Sequence, residues 1–325
     1  MGKLIYKEIK NKDIKKWDEF LNQVKNASIY SHSYFERLNK DIIKIKRFFI
    51  YDNKEILASF KIFTKKNTIC SGKLIYSPIN YRNFTNQNRS KIIHKKIAIL
   101  NKFIEIVTKH FKKGKLDLDY NSNDTREFEW YNFNKKKKIF LVENVRYTTV
   151  LDTKKIDTNI NKITSSRFFK DCSERTRRQI KKSLNQDYQF KDDFNFEDYK
   201  IIIKKTFSRQ GKKVDFDLNK NFEIFKKLHS KKLLKMYKTY QNGKVKALMV
   251  VSILGKNSIY INGGRISDSS DDYSFTYNLI NVFYSLKNLG VEKFDLEGIN
   301  SPKRGMYKTG FGGKIYPYFS MKFKK

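Results

Sequence analysis

The chain has few of the residues that punctuate or staple a fold, with 3 Pro, 14 Gly and 2 Cys among 325 residues. Cys70 and Cys172 stand one in each half, with neither CxxC spacing nor an adjoining His. That argues against both a disulfide framework and a zinc site, and no metal is expected. Long apolar runs are missing as well. Lys interrupts each stretch before it reaches the roughly eighteen uncharged apolar residues that a membrane span needs. The opening MGKLIYKEIKNKDIKKW carries charge where a secretory signal has its apolar segment, and Tyr6 stands where a myristoylation signal has Ser or Thr. A cytoplasmic protein is expected. Arginine is scarce too, at 13 of the 70 basic residues.

What is abundant points to a folded chain. Aromatics make up 15% of the residues, with 27 Phe and 20 Tyr, so apolar burial can offset the ordering entropy. The length fits one large domain or two ordinary ones. The formal net charge of +37 has two readings. It is either a footprint for a polyanion, such as tRNA or an anionic membrane touched peripherally, or a solvated lysine surface. Scarce Arg favours the second, because phosphate recognition recruits the bidentate guanidinium.

An internal repeat decides the architecture. RFFIYDNKEILASFKIF reads as strand, turn at Asp52–Asn53, strand, and KMYKTYQNGKVKALMVVSIL repeats it with a turn at Asn242–Gly243. Each hairpin leads to a further β run, TICSGKLIYSPI or NSIYING, then to a helix, over about 90–111 and 273–289. Each helix is expected to end at a glycine, Gly114 or Gly290, before an alternating strand, KLDLDYN or KFDLEGIN. The expected fold class is α/β with mixed sheets, as two tandem copies of one module. The domains are 1–150 and 151–325, with the C-terminal strand able to pack back on the first and a connection near 150–166. The basic stretch RFFKDCSERTRRQIKKSLNQ is matched to the WDEFLNQV helix of the first half. Its Arg175, Arg177, Arg178 and Lys182 are either phosphate ligands or a solvated face.

The densest signal runs from Lys293 to Tyr318, KFDLEGINSPKRGMYKTGFGGKIYPY. Alternation along the strand predicts one buried face and puts the carboxylates of Asp295 and Glu297 together on the other. Five glycines then fall within sixteen residues, from Gly298 to Gly313. Such density implies backbone in close approach or at positive φ. His32, His94, His110 and His229 are dispersed.

FDLEGINSP followed by YKTGFGG resembles the end of the second domain in FemABX-type transferases and in related BioF-like acetyltransferases. WDEFLNQVKNASIYSHSYF, SERTRRQIKKSLNQ and TFSRQGKKVDF also sit where that branch of the GNAT superfamily has comparable elements, without its coiled-coil arm. The resemblance implies tandem GNAT-like domains and transfer of an acyl group to an amine, with no Ser or Cys nucleophile. It implies an aminoacyl-tRNA or acyl-CoA donor, no tightly bound cofactor, and a peptidoglycan or other surface-glycan precursor as acceptor. By the motif, Lys308 stabilises the oxyanion and Tyr307 lies near the donor. Asp295 and Glu297 are candidates for taking the amine proton, and Arg209 and Gln210 for clamping the acceptor. Phe311, Asn300 and His32 are further substrate contacts. One departure concerns the donor: after Gly263, Gly264 and Arg265 the chain reads ISDSSDD, and Asp268, Asp271 and Asp272 would repel a diphosphate at the helix N-terminus. The alternative of another class is a non-catalytic, basic nucleic-acid-binding protein.

Overall fold

The computed structural model describes all residues except 1–2, 26, 40–43, 71–75, 77, 86, 123, 158 and 268. They form two units, Met1–Arg146 with Pro317–Lys325, and Tyr147–Tyr316. The elements of the first half are β1 (Ile5–Ile9), α1 (Ile14–Gln23), β2 (Lys44–Asp52), β3 (Glu55–Lys65), β4 (Thr68–Cys70), β5 (Asn80–Tyr81), α2 (Arg89–His110), β6 (Lys113–Leu118), α3 (Arg126–Asn132) and β7 (Phe140–Asp152). The second half contains α4 (Arg167–Asp171), α5 (Glu174–Leu184), β8 (Gln189–Asp192), α6 (Phe196–Ser208), α7 (Leu218–Ser230), β9 (Leu234–Gln241), β10 (Lys244–Leu254), β11 (Asn257–Arg265), α8 (Ser274–Asn288), β12 (Lys293–Gly298), α9 (Pro302–Thr309) and β13 (Lys314–Lys324).

In the first unit β2 and β3 form the expected hairpin, with Phe48 opposite Phe60 and Ile50 opposite Ala58. Its turn is Asn53–Lys54, one residue later than expected, because Asp52 still pairs with Glu55 and Asn53 takes the left-handed φ of 53°. β1 lies antiparallel on β2, β4 antiparallel on β3, and after the α2 crossover β6 runs parallel to β4 through the pair Ile69–Gly114. The end of β13 closes antiparallel on β6. Phe48, Phe60 and Ile62 meet Ile99, Phe103 and Ile104 of α2 in one buried cluster. On α1, Trp17, Phe20 and Leu21 recur at helical spacing and are buried, with Trp17 stacked 5.4 Å from Phe49. Each such ring contributes about 1.5–3 kcal/mol through removal from water.

The second unit repeats this order. β9 and β10 pair antiparallel around Asn242–Gly243, whose φ values of 51° and 70° suit a two-residue hairpin turn. β11 is antiparallel to β10, and after α8 the strand β12 runs parallel to β11, as β6 does to β4. β12 also pairs antiparallel with β7, and β8 lies outside β9. Leu279, Ile280, Phe283 and Leu286 of α8 are buried with Leu151, Phe294 and Leu296. Gly290, at φ 77°, follows α8 as the expected left-handed stop.

Several expectations are corrected. Gly114 is a strand residue rather than a helix stop; a Cβ there would lie 2.4 Å from Ile69 Cβ, so glycine permits the β4–β6 approach. The order of elements makes α6 and α7, between β8 and β9, the counterparts of α1, whereas α4 and α5 precede β8. The second unit begins at Tyr147, and Val150, Leu151, Ile156 and Ile163 within 150–166 are buried. All of SGKLI in the first half, residues 71–75, lies outside the described residues. No helix among the described residues is long and apolar enough to cross a membrane.

Candidate active site

β11 and β12 part company in the second unit. Their last rung is Ile259–Asp295, although β11 continues to Arg265 and β12 to Gly298. Two irregularities accompany the separation. β11 carries an extra residue at Ile261, where its register with β10 shifts, and β12 shifts against β7 between Asp295 and Gly298. Bulges of this kind bend a strand away from its neighbour. Within the second bulge Glu297 adopts φ 60°, a conformation that costs a non-glycine residue on the order of 1 kcal/mol or more and concentrates at functional sites.

A cation fills the opening. Lys308, on the last turn of α9, donates from Nζ to the carbonyl oxygens of Leu296 at 2.5 Å and Gly298 at 3.3 Å. The same ammonium stands 5.2 Å from the ring centre of Tyr260 on β11. It therefore satisfies two backbone carbonyls of β12 beyond the last β11–β12 rung. Burial pushes the Glu297 carboxyl up to about 8, against the attraction of Lys308. Burial likewise lowers Lys308, opposed by Glu297 and Asp295. Burial thus disfavours the charged form of both groups, while their mutual attraction opposes it.

Asp295 supports this arrangement from beneath. Its Oδ1 accepts from Thr148 Oγ1 at 2.5 Å and from the Glu297 backbone N–H at 2.8 Å, and it is 1% exposed. It fixes the bulge. This corrects the expectation of two carboxylates on an open face, because Phe294, Asp295, Leu296 and Glu297 are all buried and β12 has no solvated side there. Tyr307 borders the opening, with its hydroxyl 3.0 Å from Thr276 Oγ1 in the first turn of α8 and its ring against Phe275 and Phe311.

The remaining expected residues scatter. Phe311 is fully buried in the core of the second unit, so it supports Tyr307 from behind and does not meet a substrate. Asn300 accepts from the Tyr147 N–H and donates to the Tyr147 carbonyl, so a side chain continues the β12–β7 pairing beyond Gly298–Thr148. Arg209 ends α6 and donates to the Ser267 carbonyl at 2.6 Å, while Gln210 is exposed in the same turn. His32 belongs to the first unit, where it is buried, stacked on Tyr34 and 3.6 Å from Asp18. Burial lowers its pKa and favours the neutral ring. Asp18, Ser33, Tyr34, Glu36 and Arg47 line a neighbouring cleft of about 640 Å³.

The glycine cluster approaches the protein itself. A Cβ on Gly305 would lie 2.3 Å from the Ile299 carbonyl oxygen, and one on Gly312, at φ 72°, would lie 2.5 Å from that of Asp171. These contacts seat α9 and the turn after it so that Lys308 reaches the opening. At the start of α8, Asp272 accepts from the Ser274 N–H at 2.9 Å, so a carboxylate already occupies the helix N-terminus. Asp271 accepts from the Tyr273 hydroxyl, and Asp268 lies outside the described residues. Three of the four cations of the basic stretch are engaged: Arg177 with the carbonyls of Lys170 and Cys172, Arg178 with Glu174, and Lys182 with the Tyr273 hydroxyl. Sequence reasoning missed Tyr260, Thr276 and Thr148. None of the three left a signal; Thr148 stands beside a second Thr in the polar stretch ENVRYTT.

Two copies of a mixed sheet, each with a parallel strand pair bridged by a helix, define the tandem GNAT fold. The crystal structure of FemX matches with a TM-score of 0.69 at 10% identity, over 98% of this chain and 97% of that one. The C-terminal domain of a putative lysylphosphatidylglycerol synthetase from Agrobacterium fabrum matches at 0.58 and 8% identity, over 96% and 91%. A tandem GNAT protein from the clavulanic acid biosynthesis pathway matches at 0.51 and 6% identity, over 98% of each chain. No family model and no curated protein matches the sequence.

Proposed function

We propose that the chain is an acyltransferase that moves an aminoacyl group from aminoacyl-tRNA to an amine of a cell-wall or surface-glycan precursor. The reading is carried by the ammonium of Lys308, held where β11 and β12 separate and next to the buried carboxyl of Glu297. The amine nitrogen attacks the ester carbonyl of the donor, and a C–N bond forms as the carbonyl oxygen gains negative charge. Lys308 meets that charge, releasing a backbone carbonyl to do so, in the manner of an oxyanion hole. Glu297 takes the proton lost by the amine and returns it to the departing ribose oxygen as the C–O bond breaks. Asp295 is a positioning residue, through its hold on the Glu297 N–H.

Support for a tRNA rather than a coenzyme A donor comes from Asp272, whose carboxylate sits where a diphosphate would need free N–H groups. The net charge of +37 also suits a polyanionic donor. FemX and the synthetase domain are similar in fold and bear names consistent with work on the cell envelope. The test mixes purified protein with charged tRNA pools, with acyl-CoAs and with candidate amine acceptors, and reads donor consumption by mass spectrometry. Consumption of one aminoacyl-tRNA, lost in Lys308→Met, is expected. Consumption of acyl-CoA alone would reassign the donor, and consumption of neither would overturn the transferase reading.

A further inference from the structure

The loop joining α3 to β7 is built to present a surface. Asn132 is buried, and its side chain donates to the Phe140 carbonyl at 2.5 Å and accepts from the N–H groups of Ile139 and Phe140 at 2.8 and 3.1 Å. A single amide thus clamps both ends of residues 133–138 and fixes their conformation. The clamp presents one aromatic ring and four consecutive lysines. Phe133 is 82% exposed, Trp130 one turn earlier is 53% exposed, and Lys135, Lys136, Lys137 and Lys138 are all exposed.

More lysines converge on the same end of the first unit. The Lys324 N–H donates to the Ile139 carbonyl, Lys324 pairs with Lys113 across the β13–β6 ladder, and the Lys325 N–H donates to the Lys112 carbonyl. Eight lysines, 112, 113, 135–138, 324 and 325, therefore gather around the clamped loop, all of them exposed. No acidic residue interrupts the sequence from Trp130 to Val142 or from Pro317 to Lys325. Glu129 and Glu143, both exposed, flank the first stretch; Glu143 is paired with Lys115 and Asp124 with Arg126.

We infer that this loop is a docking surface for an anionic phospholipid bilayer, with Phe133 and Trp130 entering the interface and the lysines lying over the headgroups. Exposed aromatics take the boundary between headgroups and acyl chains, and clustered lysines supply the attraction to anionic lipid. A nucleic acid is the less suited partner, because the eight clustered cations are all lysine and the one guanidinium at the edge, Arg126 over the Trp130 ring, is already paired with Asp124, whereas phosphate and base recognition recruits a guanidinium that reads phosphate bidentately and stacks on bases. The inference is independent of the transferase reading.

The test uses the full chain and vesicles of phosphatidylcholine alone or mixed two to one with phosphatidylglycerol. Trp17 is fully buried and Trp130 is the second of the two tryptophans, so quenching by brominated acyl chains reports insertion at this loop. Sedimentation with the mixed vesicles only, together with quenching, is expected. Replacing Lys135–Lys138 with Gln should weaken binding roughly a hundredfold or more. Phe133→Ser should weaken it about tenfold and reduce the quenching. Circular dichroism checks that both variants keep their fold. The inference is overturned if mixed vesicles are not bound at low salt, if binding proceeds without quenching, or if the four-lysine variant binds as well as the parent. It is overturned equally if that variant loses retardation of tRNA while the parent ignores vesicles.

Discussion

The two units carry nearly the same strand after their crossover helix and treat it differently. KLDLDYN in β6 forms an unbroken ladder with β13, in which Leu116 meets Met321, Asp117 meets Ser320 and Leu118 meets Phe319. KFDLEGIN in β12 breaks its ladder with β7 between Asp295 and Gly298, turns Glu297 to positive φ, and leaves two carbonyls to Lys308. The cause lies in the next element of each unit. β6 runs into the short turn Tyr120–Ser122 and then α3, whereas β12 runs into α9, whose glycines let it approach closely enough for its lysine to arrive. One pattern thus closes a ladder in the first unit and frames an opening in the second.

Buried charge shows the same division. In the first unit Glu36 forms a bidentate pair with Arg47 and lies 3.5 Å from Lys61, whose side chain is fully buried and whose pKa burial lowers to about 8. Glu36→Gln leaves two buried cations without their counter-charge and should destabilise the protein by about 3–5 kcal/mol, read as a lower denaturant midpoint. Turnover of the fraction that remains folded should hold; if it falls in step with the Lys308 variant, the two charge clusters share one role and the comparison fails.

Lys308→Met comes next, with an expected loss of about a hundredfold or more in turnover and an unchanged far-UV spectrum. Lys115→Met, at a partly exposed lysine of β6 facing Glu143, should change turnover less than about twofold. Equal losses would contradict a site confined to the second unit.

The third contrast is in pH. Glu297 is raised from 4.5 to about 8, so between those values the folded chain holds a proton that the unfolded chain has lost. Stability from this group is therefore greatest at the acid end and declines as pH rises through the window. A base must be unprotonated, so transfer should climb toward pH 8 while stability falls. Glu297→Gln should remove both slopes, measured by pH-dependent denaturation and by the pH–rate profile. Retention of the rising limb would transfer the proton to another group.

The smallest effect belongs to the support beneath the bulge. Thr148→Val takes one donor from buried Asp295 and should cost about 1–3 kcal/mol, with turnover reduced more than the substrate KM. Ser320→Ala, which removes the hydroxyl donated to Asp117 in the first unit, should cost a similar amount of stability without touching turnover.

Much of this is legible in the sequence. The paired hairpins, both long helices and the closing strands derive from periodicities of 2 and 3.6, since these are set residue by residue. Lys308 beside Tyr307 is legible as a motif, and the Asp-rich start of α8 as a self-capped helix. Phe311 is not, because glycines on either side read alike whether they line a cleft or admit a ring into the core. Nor is Asn300, whose amide serves strand β7 from more than 150 positions away.

By itself the chain determined its elements, its duplication and its lysine surface, for each of these depends on local propensity or on composition. The parting of β11 from β12, the strained backbone at Glu297 and the convergence of eight lysines at one end of a sheet were decided only in three dimensions. Each arises from register between segments distant in sequence, and hydrogen-bond register is a property of a pair of strands that neither strand encodes alone.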